Sequence, residues 1–433
     1  MYENNWESLN QRKVPEWFGK AKFGIFIHWG LYSIPAYAPK GQYAEWYGHS
    51  CQTPENKEEP FKELYYQHHK KHYNLAPYYD FANQFTGERF DAQKWATLFK
   101  RSGAKYINMV SKHHDGFCLY DSSYAGDLTT VRGAAKRDFL MELKNALEGT
   151  GVRFGVYHSI YEWWHPLYLE DPEKYAIEHL HPMLKELIEK YQPNTLFTDG
   201  EWEHESCVWH STEFLTWLYN QSSVKDFIVP NDRWGKETRG RVGGNFTTEY
   251  GCLNYGEKVD DAVFDRPFEE CRGIGCSFGI NKEEGAEDYL SVKELLKILC
   301  SLVSKGGNLL LNIGPDADGT IPPIMEERLL KMGKWLEVNG EAIYESEIYS
   351  KRAADGTYYT KNGDTIYAIT ETFPSKATVF EKIDFCEEYK FQLLGSCATV
   401  TAQNENGKLS LKANICSPED INSEHLYVFK ITK

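Results

Sequence analysis

Eight short, mostly apolar runs recur along the first three quarters of the chain, and most of them end in His, Asp, Asn, Arg or Glu. They cover residues 22–30, 106–116, 153–159, 195–202, 227–235, 245–251, 274–281 and 308–315. Apolar runs without strict alternation are typical of strands that are buried on both faces. The pattern therefore predicts eight strands of a parallel sheet.

Amphipathic segments lie between several of these runs and predict helices. They cover residues 91–103, 136–151, 172–191, 291–307 and 324–340, and the first begins at an Asp that can cap it. Strands that alternate with helices predict an α/β protein with a (β/α)8-like TIM barrel. The gaps around the fifth to seventh strands are short or poor in helix, so we expect a somewhat irregular barrel.

The pattern changes after about residue 345. Apolar and polar residues alternate with a period of two, and Asn-Gly pairs separate the runs. Both features are typical of antiparallel strands joined by tight turns. We therefore expect two domains, a barrel over residues 1–344 and a small C-terminal antiparallel β-sandwich over residues 345–433.

Composition and charge narrow the classes of partner. The chain has 433 residues, 41% of them hydrophobic, and a formal net charge of −15. An acidic protein repels phosphate backbones and anionic lipids, so we expect neither nucleic acid nor membrane as a partner. No apolar run is long enough to span a membrane, and the N-terminus does not resemble a secretion signal. We expect a cytoplasmic protein, and association into a homo-oligomer stays open.

The aromatic content of 15% is the unusual part of the composition. A barrel places its active site at the C-terminal ends of its strands, where this chain has carboxylates, His and aromatic residues together. Carboxylates, neutral hydrogen-bonding groups and flat rings suit a sugar, whose hydroxyls take hydrogen bonds and whose C–H faces lie on rings. The pattern therefore indicates a carbohydrate-binding cleft.

Two carboxylates are needed to hydrolyse a glycosidic bond. Asp199, in the segment LFTDGEW, is the candidate nucleophile, although an Asp before Gly also often caps a turn. Glu249, in TTEYG, is the candidate general acid and base, and Glu45 and Glu269 compete with it. The sequence does not rank these three glutamates.

A metal-dependent barrel hydrolase that uses His28, His113, His114 and Asp199 is the alternative function. The adjacent pair His113-His114 at a strand end suits either a sugar or a metal site. The HExxH pattern of metal-dependent barrels is absent, no HxH pattern falls at the end of a predicted strand, and ten scattered Cys without a CxxC pair predict free thiols. We therefore favour the reading without a metal or another cofactor.

The segments FGIFIHWG, YAEWY, KHHDGF, FGVYHS, TDGEW, NDRWG, TTEYG and SKGGNLLLNIGPDADGTIP, in this order, resemble the family-29 glycoside hydrolases, which are retaining α-L-fucosidases. The resemblance runs from about residue 6 to residue 345. It implies hydrolysis of terminal α-L-fucosyl residues of oligosaccharides or glycoconjugates without a metal. A sugar-binding relative without activity is disfavoured, because both carboxylates are present.

The resemblance also implies roles for individual residues. Asp199 matches the nucleophile and Glu249 the acid/base of members with a similar TxEY segment. The implied substrate-binding residues are His28, Glu45, Trp46, His113, His114, Tyr157, Phe197, Arg233 and Phe278. Phe278 would face the C5 methyl group of fucose, and Phe197 stands where the family often has Trp. Linkage preference is expected to depend on residues 36–90 and 252–270.

Overall fold

The computed structural model describes residues 1–52, 61–252, 266–350 and 356–433. Parts of both segments expected to set linkage preference, residues 53–60 and 253–265, lie outside this description. Among the described residues, no helix combines the length and the apolar character needed to cross a membrane.

Eight parallel strands form the first domain. They are β1 Phe23–Ile27, β2 Tyr106–Lys112, β3 Val156–Ser159, β4 Thr195–Asp199, β5 Val229–Pro230, β6 Phe246–Glu249, β7 Phe268–Gly273 and β8 Asn308–Ile313. Their order in the sheet is β5-β4-β3-β2-β1-β8-β7-β6. A parallel bridge between Asn231 and Asn245 joins the two edge strands, so the strands run in a full circle. The predicted TIM barrel is confirmed.

Helices surround the barrel. They are α1 Trp6–Leu9, α2 Glu16–Ala21, α3 Tyr47–Ser50, α4 Phe61–Tyr73, α5 Ala92–Arg101, α6 Phe139–Leu147, α7 Pro166–Glu170, α8 Pro172–Tyr175, α9 His181–Tyr191, α10 Ser211–Asn220, α11 Val292–Ser304 and α12 Pro323–Asn339. Asp91 caps α5 as predicted, with its Oδ1 accepting the Lys94 N–H at 3.1 Å. A π-helical turn, Ala176–Leu180, interrupts the predicted helix 172–191.

The seventh strand was placed wrongly from the sequence. The run 274–281 forms loop structure, and β7 lies just before it, over FEECRG. This strand contains three charged residues, so it does not stand out as an apolar run in the sequence. One of them, Glu269, faces the barrel interior and accepts a hydrogen bond from the buried Tyr106 hydroxyl, which offsets the cost of its burial.

The barrel is open at one end only. Phe26, Val110, Tyr157 and Leu310 belong to the cluster that fills its interior. At the N-terminal ends of the strands, Phe18 of α2 packs on Tyr106 with ring centroids 5.5 Å apart. Helix α2 therefore closes this end, and access is left at the C-terminal ends of the strands.

Two antiparallel sheets form the C-terminal part. The strands are β9 Glu347–Ile348, β10 Tyr358–Asn362, β11 Thr365–Thr370, β12 Thr378–Asp384, β13 Lys390–Leu393, β14 Val400–Glu405, β15 Lys408–Ala413 and β16 Tyr427–Thr432, in the orders β13-β16-β11-β10-β9 and β12-β15-β14. Asn406 and Gly407 both have positive φ in the β14–β15 turn, as a two-residue hairpin requires. Trp335 of α12 donates its indole N–H to the Leu426 carbonyl at 2.8 Å, which ties this sandwich to the barrel.

Candidate active site

A pocket of about 220 Å³ lies at the C-terminal ends of the barrel strands. Of the side chains that the sequence nominated, all except the competing acid Glu269 line it: His28, Glu45, Trp46, His113, His114, Tyr157, Phe197, Asp199, Arg233, Glu249 and Phe278. It is also lined by Phe26, Tyr43, Trp202, Arg239, Tyr250, Cys252 and Cys271. Residues as far apart in the chain as Phe26 and Phe278 are thus brought to one site by the register of the strands.

Asp199 is the last residue of β4 and is 9% exposed. Its Oδ2 accepts the Tyr157 hydroxyl at 3.0 Å, and its Oδ1 accepts Nη1 of Arg233 at 2.5 Å. The following Gly200 has φ +90°, a conformation that favours glycine. The carboxylate therefore faces the pocket and its hydrogen-bonding groups, which is not the arrangement of a turn cap.

The surroundings of Asp199 favour its ionised form. Burial alone would raise the pKa of this carboxyl, but the guanidiniums of Arg233 and, less strongly, Arg239 outweigh burial and hold the pKa below its usual value. An ionised carboxylate held rigidly at a strand end is what nucleophilic attack on a sugar requires.

Arg233 joins the two candidate catalytic carboxylates. It is buried, its Nη1 binds Asp199, and its Nη2 lies 3.4 Å from Oε2 of Glu249. Its Nε donates to Thr247 at 3.1 Å. The neighbouring Asp232 instead accepts hydrogen bonds from Thr247 and from the loop after Arg233, so it does not neutralise this guanidinium by contact.

The three candidate acids have different surroundings. The Glu249 side chain, 28% exposed at the end of β6, also accepts the Tyr43 hydroxyl at 3.4 Å. Glu45 is buried and its Oε2 accepts the Gly279 N–H at 2.8 Å; burial raises its pKa to about 8. Glu269 lies at the beginning of β7, outside the pocket lining. The geometry therefore leaves Glu249 and Glu45 as carboxyls that can reach a ligand.

Hydrogen bonds define the tautomers of two pocket histidines. Asn312 donates its Nδ2 to a carbonyl, so its Oδ1 faces Nδ1 of His28 at 2.7 Å and must accept from it. Ser159 donates to the Tyr161 carbonyl, so it likewise accepts from Nδ1 of His114 at 2.6 Å. Both rings therefore present an unprotonated Nε2. Burial lowers the pKa of His28 to about 4 and that of His114 to about 3, which keeps them neutral.

Aromatic rings form the remaining wall of the pocket. Phe278 packs against His28 with centroids 4.9 Å apart, and its backbone carbonyl is held by Asn312. Trp46 and Trp202 also line the pocket, with ring centroids 5.9 Å apart. The pocket thus combines neutral hydrogen-bonding groups, two ionisable carboxyls and flat apolar faces, which suits a monosaccharide unit.

The geometry does not support the metal alternative. Among the described residues, the group whose ligand atoms lie close enough together for a metal ion is Glu162, His165 and His179, and none of the four nominated residues belongs to it. The Lys112 ammonium already lies against the Glu162 carboxylate. Around Asp199, the position of a cation is taken by Arg233. All ten cysteines are free thiols, as predicted.

Several residues at or near the pocket were given no role from the sequence, and three of them bear on its chemistry. Tyr43 and Arg239 line the pocket, and Glu201 is buried behind Arg239. Glu201 stands in the nominated segment LFTDGEW and could have been noticed there. Arg239 lies in the irregular loop GKETRGRVGG, where no periodicity distinguishes a buried from an exposed arginine.

Comparison with known proteins gives consistent matches. The family described as "Alpha-L-fucosidase" matches residues 1–341. The chain is 36% identical over 450 residues to the alpha-L-fucosidase of Dictyostelium discoideum, covering 100% of this chain and 95% of that protein. It is 40% identical over 393 residues to the plasma alpha-L-fucosidase of Homo sapiens, covering 88% and 80%. The crystal structure of Thermotoga maritima alpha-fucosidase in complex with fucose superposes with a TM-score of 0.80 at 32% identity and 100% coverage of both chains.

Proposed function

Because the chain belongs to the α-L-fucosidase family and is a retaining glycosidase that acts on fucosylated substrates, we propose that Asp199 is its nucleophile and Glu249 its general acid and base. The observation that supports this assignment is the guanidinium of Arg233, which holds both carboxylates at one small pocket. Retention needs carboxyl groups only about 5–5.5 Å apart, and two carboxylates on one guanidinium fit that closer spacing.

The first half of the reaction forms a covalent intermediate. A carboxylate oxygen of Asp199 attacks the anomeric carbon, while Glu249 gives its proton to the leaving oxygen. The bond between the anomeric carbon and the leaving group breaks, and a fucosyl ester of Asp199 results. Glu249 is the more exposed of the two carboxyls, which places its proton on the side where the rest of the glycan leaves.

The second half of the reaction releases fucose. Glu249, now ionised, takes a proton from water, and the water oxygen attacks the anomeric carbon. The ester bond breaks and its electron pair returns to the carboxylate of Asp199. Two inversions at the same carbon give net retention.

The sugar itself is recognised by the neutral groups of the pocket. The Nε2 atoms of His28 and His114 accept hydrogen bonds from sugar hydroxyls. Glu45, protonated at pH 7 because of its raised pKa, donates one. The ring of Phe278 supplies an apolar surface for the C5 methyl group. The fucose complex of the Thermotoga maritima relative supports this assignment of the pocket to fucose.

Replacement of the nucleophile tests the assignment. We expect Asp199→Gly and Asp199→Ala to keep the fold and to lower kcat on an aryl α-L-fucoside by about 10⁴-fold or more, since the covalent step is lost. Asp226→Ala, at an exposed aspartate, is the control and should keep full activity. Near-normal turnover by both Asp199 variants would refute the proposal.

The natural substrates extend the proposal. We infer that the enzyme removes terminal fucose from oligosaccharides or glycoconjugates, and a panel of such glycans with product analysis would define the linkage. A cytoplasmic location, self-association, and the absence of nucleic acid and membrane as partners stay predictions from the sequence.

A further inference from the structure

A second buried ion pair lies beside the nucleophile. Glu201, two residues after Asp199, is 2% exposed, its Oε1 accepts Nε of Arg239 at 2.9 Å, and Nη2 of Arg239 lies 2.7 Å from the same oxygen. The same Nη2 lies 4.0 Å from Oδ1 of Asp199. Arg239 also lines the pocket. Pairing often does not repay the free energy that is lost when two charges leave water, so stability alone does not account for this ion pair beside the nucleophile.

Glu201 and Arg239 do not form the bidentate pair that an arginine and a carboxylate often form. Such a pair has two parallel hydrogen bonds, one to each carboxylate oxygen. Here Nε donates to Oε1 of Glu201 and Nη2 lies nearest to that same oxygen, while the buried Oε2 has no hydrogen-bond partner among the described residues. Nη2 of Arg239 therefore lies close both to Oε1 of Glu201 and to Oδ1 of Asp199.

The loop that carries Arg239 is held in place by the residue before Arg233. The Asp232 Oδ2 accepts the Gly240 N–H at 2.7 Å, and its Oδ1 accepts the Thr247 hydroxyl at 2.7 Å. The Thr238 hydroxyl donates to the Asp232 carbonyl at 2.7 Å. Residues on both sides of Arg239 are therefore anchored to the end of the barrel.

We propose that Arg239, oriented by Glu201, is a second cationic partner of Asp199 that stabilises this carboxylate when it leaves the fucosyl ester. The inference rests on the proposed function, in which Asp199 forms that ester. Arg239 acts through Asp199 and Glu201 acts through Arg239, so both are positioning residues.

The charges around Asp199 explain why a second cation matters. The titratable and charged groups that face it are His28, His114, Tyr157, Glu201, Arg233, Arg239 and Glu249. The histidines are neutral, so two guanidiniums oppose three carboxyl groups. Arg233 is shared between Asp199 and Glu249. Arg239 therefore adds a second positive charge beside Asp199, since the charge of Arg233 is shared between Asp199 and Glu249.

The effect differs between the two halves of the reaction. When the ester forms, Asp199 loses its negative charge and its attraction to Arg239. When water attacks the anomeric carbon, the carbon–oxygen bond to Asp199 breaks and the electron pair returns to the carboxylate beside Arg239. The cation therefore favours ester hydrolysis over ester formation.

The test compares Arg239→Gln, Arg239→Lys and the double variant Glu201→Gln/Arg239→Gln. Arg241→Gln is the matched control, because Arg241 lies in the same loop and is exposed. The double variant removes both buried charges and avoids the unpaired Glu201 that Arg239→Gln alone leaves. The two readouts are the lifetime of a trapped ester and the midpoint of a pH profile, and neither depends on the fraction of enzyme that folds.

The first readout is the half-life of the ester formed with a 2-deoxy-2-fluoro-fucosyl fluoride. We expect Arg239→Gln to lengthen it about tenfold or more. The second is the acid limb of kcat/KM, which should move up by about one pH unit, since removal of a cation raises the pKa of Asp199. Arg239→Lys should recover part of both changes, and the double variant should show a smaller pH shift than Arg239→Gln.

Ester lifetimes and acid limbs in Arg239→Gln and the double variant that equal those of Arg241→Gln would overturn the inference. So would a fall in kcat/KM with neither readout changed, which is the behaviour of a structural residue. Peptide mapping of the trapped ester separates this result from a failure of the proposed function. An ester on a residue other than Asp199 refutes the proposed nucleophile, whereas an ester on Asp199 with unchanged readouts refutes the role of Arg239 alone.

Discussion

Glu249 and Glu45 both present a carboxyl to the pocket, and their different surroundings favour Glu249 as the proposed acid for the leaving group. Glu249 is partly exposed and shares Arg233 with Asp199. Glu45 is buried and accepts a backbone N–H and a serine hydroxyl. These contacts suit Glu45 to hold a sugar hydroxyl and Glu249 to exchange protons with the leaving oxygen and water.

We expect Glu249→Ala to lose far more activity on natural oligosaccharides than on aryl fucosides with good leaving groups, because the latter need no proton. Azide should restore part of the activity, since it attacks the ester without a general base. Steady-state kinetics on both substrate types, with and without azide, measure this. The same pattern in Glu45→Ala or Glu269→Ala would show that the acid was assigned wrongly.

At the scale of elements, a buried ion pair fixes the two strand ends that carry pocket residues. Lys112, the last residue of β2, is fully buried against Glu162 in the loop after β3. The Tyr175 hydroxyl donates to the same carboxylate at 2.9 Å. The next residue of that loop, Trp163, donates its backbone N–H to the His114 carbonyl at 2.9 Å. The ion pair therefore supports the backbone of the His113-His114 pair.

We expect Lys112→Met to lower the free energy of unfolding by about 3–5 kcal/mol, because the buried Glu162 carboxylate loses its ammonium partner and keeps contacts with Tyr175 and His179 that do not replace that charge in full. Lys112→Met/Glu162→Gln should recover much of this loss, since neither charge is then left alone. Lys94→Met, at an exposed lysine, is the control. Chemical unfolding curves measure the differences, and a Lys112→Met curve that matches the control would contradict the expectation.

The elements that could be predicted from the sequence are those that depend on contacts between residues close along the chain, or on runs of residues that are nearly all apolar. Asp91 caps α5 through a residue three positions away, and the apolar strands have two buried faces. The seventh strand was missed because Glu269 is buried against Tyr106, a residue 163 positions away. Lys112 and Arg239 escaped for the same reason, since the partner that permits a buried charge is visible only in three dimensions.

At the scale of the whole molecule, buried titratable groups make stability depend on pH in two opposite ways. Burial lowers the pKa of His28 to about 4 and of His114 to about 3, below about 6.5 in an unfolded chain. The unfolded state therefore binds more protons below pH 6.5, and stability falls as the pH falls. Burial raises the pKa of Glu269 to about 7 and of Glu45 to about 8, so here the folded state binds more protons and stability falls as the pH rises.

The two trends offset each other between about pH 4.5 and 6.5, and above pH 6.5 the fall caused by the two glutamates remains, so we expect stability to decline toward pH 8. Glu269 has lost most of its contribution by pH 7, so the decline between pH 7 and 8 reports mainly on Glu45. We expect Glu45→Gln, which cannot ionise, to make the fall in Tm over this interval shallower. Glu170→Gln, at an exposed glutamate, should keep the full slope. Thermal unfolding at closely spaced pH values measures both, and parallel curves for the native chain and Glu45→Gln would show that Glu45 is already ionised in the folded protein at pH 7.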